Sequence, residues 1–155
     1  LVPLGYGLAD LLATDLARSA RLAVVERARL AAILRELDLA AAGNLDSATA
    51  PRAGRRLQAR SLVTGSLDRR PDGEIVFAIR VDDVATGRVD TALVRRAPLN
   101  DVLEAEKQLA FAVFAHFGVQ LTPQERALVE QRPTRDLAAL LAYGQGVQAE
   151  VNGQY

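Results

Sequence analysis

With 155 residues, 50% of them hydrophobic, the chain is long enough for one globular core and too short for two comfortable ones. Its 19 basic and 19 acidic residues cancel, which removes the net field that gathers polyanions and counts against nucleic-acid binding. Cysteine is absent, so a disulfide, a thiolate zinc site and a cysteine nucleophile are all excluded within the chain. No apolar run approaches the roughly 18 residues of a membrane helix, and no signal peptide opens the sequence. Met is absent and Leu stands first, which predicts a processed or excised piece of a longer protein. All but one of the basic residues are Arg, the exception being Lys107.

In chain order, "YGLADLLATDLARS" (6–19) sets Leu8, Leu11, Leu12 and Leu16 on one stripe, with Asp10, Asp15 and Arg18 elsewhere, and predicts an amphipathic helix. "LAVV" (22–25) is a short apolar run of the kind a buried strand makes. From Glu26 the period becomes helical through Leu30, Ile33, Leu34 and Leu37, and Gly43 and Asn44 are the predicted stop. A shorter helix follows to about Gln58, with Asp46 or Ser47 as its cap and Pro51 in its first turn. The period then falls to two. "SLVTGSL", "EIVFAIRVDD" and "RVDTALVRR" read as three antiparallel strands joined by turn-rich loops, with Ile75, Phe77, Ile79 and Val81 on one face of the second. Gly65, within the first strand, marks a place where a neighbour can approach closely. Leu103, Leu109, Val113 and Phe117 predict a helix that Gly118 stops. Thr122, Pro123 and Glu125 predict a capping box, and a last helix begins near Asp136 and runs to about Val151. An α/β (α+β) fold follows: a mixed sheet with helices packed on it, then C-terminal helices.

No catalytic, cofactor-binding or metal-ligating residue emerges from spacing. His116, the single histidine, lies beside an apolar stripe without an orienting partner in the sequence. Asp82 and Asp83 adjoin in a strand, so they point to opposite faces and a role near the "ATG" turn suits them better than acid–base catalysis. "GYG" at 5–7 lacks the rest of a nucleotide-binding pattern. Arg52, Arg55, Arg56 and Arg60 form a small basic patch whose plain reading is a solvated face.

The ordered fragments "GLADLLATDLARS", "LAVVERARLAAILREL", "GNLD", "SLVTGSL" and "VDDVATGRV" resemble the domain shared by the curli assembly and transport component (CsgG) family and the TolB amino-terminal-like proteins. The resemblance covers roughly residues 4–118. It implies an anticodon-binding-domain-like sheet in which "LAVV" is an interior strand, and domains at 1–118 and at 119–155, the latter a helical extension. Family members carry a further strand before the first helix; only "LVPL" stands there, so that strand reads as missing or truncated, with an open slot in the sheet. The charges Arg80, Asp82, Asp83, Asp90, Arg95 and Arg96 do not suit a lipid-facing barrel wall, so the pore function is not carried over. In the tail, Tyr143, Gly146, Gly153 and Tyr155 resemble the start of a tetratricopeptide-type helix pair.

The resemblance implies a non-enzymatic domain of the bacterial cell envelope, periplasmic or outer-membrane-associated, that works by protein partners or self-association, as a possible homo-oligomer, without cofactor or nucleic acid. Candidate interaction residues are Leu1, Val2, Leu4, Val63 and Gly65 for strand pairing, and Tyr143 and Tyr155 on the tail helix. The alternative is a ligand-sensing regulatory module coupled to tetratricopeptide-like repeats.

Overall fold

The computed structural model describes residues 1–37 and 49–154. Helices α1 (Val2–Leu16), α2 (Arg27–Glu36) and α3 (Ala50–Arg56) precede a meander of β1 (Ser61–Arg69), β2 (Ile75–Asp83) and β3 (Val89–Ala97). A single 3-10 turn at Leu99–Asp101 leads into α4 (Val102–His116), α5 (Pro123–Glu130) and α6 (Leu137–Val151). The Gly43/Asn44 stop and the Asp46/Ser47 cap lie outside the described residues, as does Tyr155.

Period-two patterning places the sheet. Ile75, Phe77 and Ile79 of β2 are buried in one core with α1 and α4, Val81 is buried on the same face of the strand, and the partly buried Val63, Leu67 and Leu93 of the flanking strands share that face. β2 pairs antiparallel with both neighbours, with an irregularity at Val81/Asp82 that shifts the register against β3. Gly73 and Gly87 occupy positive φ in the two hairpin loops, where an L side chain is disfavoured. On the opposite face a smaller cluster of Ala50, Leu62 and Val84 docks α3 at one end of the sheet.

The later helices follow their end signals. Thr122 accepts from the Glu125 N–H at 3.1 Å while the Glu125 carboxylate accepts from the Thr122 N–H at 2.9 Å, the predicted capping box. Asp136 caps α6 by accepting from the Ala138 N–H at 2.8 Å. Gly118 closes α4 with φ +66, where the Val119 N–H donates to the Phe114 carbonyl.

The structure corrects several expectations. "LAVV" is not a strand: Val24 is 37% exposed, and among the described residues nothing pairs with this segment. A strand persists only where a neighbour takes up its N–H and C=O groups, and the sheet reaches no further than β1. The sheet is therefore antiparallel throughout its three described strands rather than mixed in strand direction, within the α/β class that was expected. "LVPL" is no strand remnant either. Leu1 is the N-cap of α1, the Gly5 N–H already donates to the Leu1 carbonyl at 3.0 Å, and Pro3 fits the first turn because its fixed φ is helical and its missing N–H is not needed there. The last helix packs on the first: α6 buries Leu140, Gly144 and Val147, and Gly144 abuts Gly7 and Pro3 of α1.

Candidate functional site

The candidate interaction residues separate into three places. Val63 and Gly65 lie on β1, which is an edge strand, since its one partner among the described residues is β2. Val63 leans on the core, and the atoms nearest to where a Cβ on Gly65 would stand are the Ala78 carbonyl oxygen at 3.4 Å and the Phe77 ring at 3.7 Å. The neighbour that approaches Gly65 is thus the paired strand β2, its backbone first. Leu1 and Val2 are exposed at the start of α1, whereas Leu4 is fully buried in the core. Tyr143 sits on α6 and donates its hydroxyl to Asp10 of α1, tying the two helices together.

The free side of β1 is the feature with binding chemistry. An edge strand presents alternate N–H and C=O groups outward, and these can be satisfied by a strand from another chain. Leu62 lies beneath α3 at its start, and the Leu67 side chain comes within 3.8 Å of where a Cβ on Gly5 of α1 would stand. The edge is therefore held straight at both ends by packing that does not use its outer hydrogen-bonding groups.

A second site lies inside. Lys107 Nζ of α4 is hydrogen-bonded to Asp15 Oδ2 of α1 and stands 3.4 Å from Glu106 Oε2. Asp15 and Lys107 are each 5% exposed and Glu106 is 0% exposed, and neither Glu106 oxygen has a hydrogen-bond partner. Burial, followed by the neighbouring Asp15 charge, pushes the Glu106 carboxyl up to about 8 against the pull of Lys107. Burial likewise raises Asp15, with Lys107 the chief opposing influence. The geometry gives Lys107 to Asp15, and burial favours the protonated form of Glu106 beside that pair.

Pattern reading put Asp15 on the polar side of α1; the structure buries it, because it follows Leu11 by four residues and Leu8 by seven and so falls on the apolar stripe. Glu106 and Lys107 likewise fall between Leu103 and Ala110 on the buried face of α4. A charge at a core position of the helical period, together with the single Lys of an Arg-rich chain, was the available signal.

The remaining acids have local roles. Asp83 accepts from the Thr86 N–H at 2.7 Å and its hydroxyl at 2.9 Å, which holds its carboxyl below the usual range and closes the β2–β3 turn. Asp82 points to the other face, as expected, but it is buried and paired with Arg80 Nε at 3.0 Å, with one oxygen unpartnered, so the turn role belongs to Asp83 alone. His116 Nε2 lies 2.9 Å from Asp90 Oδ2, linking α4 to β3. Among the described residues no cluster of three or more His, Asp or Glu could hold a metal ion, and no helix is long and apolar enough to cross a membrane.

No curated protein matches the sequence. Among solved structures the chain is similar to the LpoB C-terminal domain from Salmonella enterica, with a TM-score of 0.45 and 16% identity, covering 53% of this chain and 61% of that one. The chain thus spans less than two thirds of that structure. The family model described as curli production assembly/transport component CsgG matches residues 2–69, from α1 through β1, a shorter stretch than the expected 4–118 that leaves out "VDDVATGRV"; this segment is CsgG-like and fits a protein-interaction role in the cell envelope.

Proposed function

We propose that the chain is a non-enzymatic interaction domain of the bacterial cell envelope, on the periplasmic side, that engages protein partners or further copies of itself by strand addition at β1. The observation that carries this reading is the outer edge of β1, unpaired among the described residues and braced at its ends by α3 and α1. The CsgG match over residues 2–69 supports the coarser part of it, a protein-interaction role in the cell envelope. Residues 1–118 form the interacting unit, and 119–155 lead from it toward tetratricopeptide-like repeats. The affinity comes from main-chain hydrogen bonds along the edge, and selectivity from side chains flanking Val63 and Leu67.

Light scattering coupled to size-exclusion chromatography over a range of concentrations, with hydrogen exchange read on the β1 amides, tests the self-association arm. Association that slows exchange of the outward β1 amides supports strand addition between copies. Association that leaves those amides unchanged removes β1 from the interface. A monomer at all concentrations leaves a heterologous strand as the partner to be captured.

A further inference from the structure

The free edge of β1 does not stand alone: a basic surface, most of it without ion pairs among the described residues, adjoins its first residues. From Thr49 to Leu67 the chain carries Arg52, Arg55, Arg56 and Arg60 and no acidic residue. The first three belong to α3, which lies on the sheet at Leu62 and Val84; Arg60 immediately precedes β1, and its carbonyl accepts from the Val84 N–H at 3.0 Å. All four side chains are exposed. Arg56 makes an open 3.4 Å pair with Glu36, both side chains more than half exposed, whereas Arg52, Arg55 and Arg60 make no ion pair among the described residues. At the far end of the strand Arg69 and Arg70 are exposed as well, although Asp68 and Asp72 balance them. The basic excess is thus concentrated where the edge begins.

Resting on the strand-addition reading, we propose that the partner segment is acidic: an extended protein strand that pairs with β1 and sets Asp or Glu side chains at the end where Arg60 precedes the strand and α3 carries Arg52 and Arg55 on its exposed face. The two features adjoin because α3 packs through Ala50 on Leu62 of β1, with Val84 of the β2–β3 turn completing the cluster. A Cβ at Gly54 would come within 2.4 Å of Val84 Cγ2, so the glycine sets how closely α3 approaches that turn. Arg suits this use because its fork takes a carboxylate through two parallel hydrogen bonds. A nucleic acid is disfavoured, since the chain as a whole carries no net charge and a sheet edge offers main-chain pairing rather than base stacking.

The test is fluorescence anisotropy on the whole chain with three labelled probes as long as β1: an alternating Val/Thr peptide with Asp at both ends, the same peptide with Lys for Asp, and the Asp peptide with alternate backbone nitrogens methylated. A single-stranded DNA oligonucleotide serves as competitor. The expected result is that the Asp peptide binds about tenfold or more tightly than the Lys peptide at about 50 mM salt, with the gap narrowing at about 300 mM. Methylation abolishes binding, and the variant Arg52→Glu/Arg55→Glu/Arg60→Glu reverses the preference. These positions are exposed, so the variant is expected to keep its Tm, and circular dichroism checks this. Equal binding of the Asp and Lys peptides, with the methylated one inert, overturns the acidic partner and leaves strand addition standing. Binding that survives methylation and is displaced by the oligonucleotide makes the patch a general polyanion surface and overturns the proposal. Failure of every peptide overturns both readings.

Discussion

Lys107 Nζ stands 3.4 Å from the fully buried Glu106 Oε2, yet that carboxyl has no hydrogen bond and Lys107 is given to Asp15. Two acids and one base in a buried site balance only if one acid stays protonated, and Glu106, the more deeply buried, is that acid. Its folded-state value is raised from 4.5 to about 8. The unfolded chain therefore loses this proton first as pH rises, so the contribution is complete below about pH 4.5, declines between about 4.5 and 8, and is gone above that window. Asp15, also raised, acts in the same direction. Urea denaturation from pH 5 to pH 9 is expected to show stability falling by a few kcal/mol across the window. Glu106→Gln, neutral at every pH, is expected to flatten that slope and to exceed the parent in stability near pH 8. An unchanged slope in the variant would mean that Glu106 is ionised in the fold.

Lys107 has the opposite character, as the charge that makes Asp15 tolerable between α1 and α4. Lys107→Met keeps the length of the side chain and removes the ammonium, leaving a buried carboxylate without a counter-ion. We expect a loss of about 3 to 5 kcal/mol in chemical denaturation at neutral pH. Asp15→Leu combined with Lys107→Met is expected to restore most of it, because an apolar pair of similar volume replaces the ion pair. A double variant no better than the single one would show that the loss comes from packing around Lys107 and not from the stranded charge.

The same cluster shows where sequence pattern informs and where it stops. The alternation Ile75, Phe77, Ile79, Val81 reports directly which face of β2 is buried, and the Thr122/Glu125 box is local chemistry that a four-residue window contains. Asp15, Glu106 and Lys107 stand at core positions of their helical periods, but the pattern names no partner for them; only the crossing of α1 with α4, a contact between residues 92 apart in sequence, supplies the one that lets them be buried. "LAVV" failed for the complementary reason. Apolar, β-branched residues are necessary for an interior strand, but the strand exists only if a neighbour's ladder reaches it, and that is a property of the assembled sheet. "LVPL", expected as the remnant of a strand, is the first turn of α1.

Gly144 and Gly146 on α6 differ only in what faces them. A Cβ at Gly144 would fall 1.9 Å from the Pro3 carbonyl oxygen of α1, whereas one at Gly146 would meet nothing within 4 Å. Backbone cannot retreat as a side-chain tip does, so Gly144→Ala is expected to separate the helices and cost about 1 to 3 kcal/mol. Gly146→Ala is expected to stabilise by up to about 1 kcal/mol through helix propensity alone. Thermal melts of the two variants check this, and equal effects of either sign would mean that α1 and α6 do not approach closely at Gly144.

Gly54 tests the attachment of α3 to the sheet. The obstruction to a Cβ there consists of Val84 alone, with Cγ2 at 2.4 Å, Cγ1 at 2.9 Å and Cβ at 3.2 Å. Gly54→Ala is expected to cost about 1 to 3 kcal/mol as α3 is pushed from Leu62 and Val84. Val84→Ala by itself leaves a small void in the cluster with Ala50 and Leu62, and costs about 1 kcal/mol. Combined, the two substitutions exchange volume across one contact: the new methyl of residue 54 enters the space vacated by the two Cγ atoms. The double variant is therefore expected to be more stable than Gly54→Ala alone, giving a favourable coupling of about 1 kcal/mol in a double-mutant cycle. Strictly additive losses would show that α3 does not rest on Val84, and would remove the packing that holds Arg52, Arg55 and Arg56 beside the start of β1.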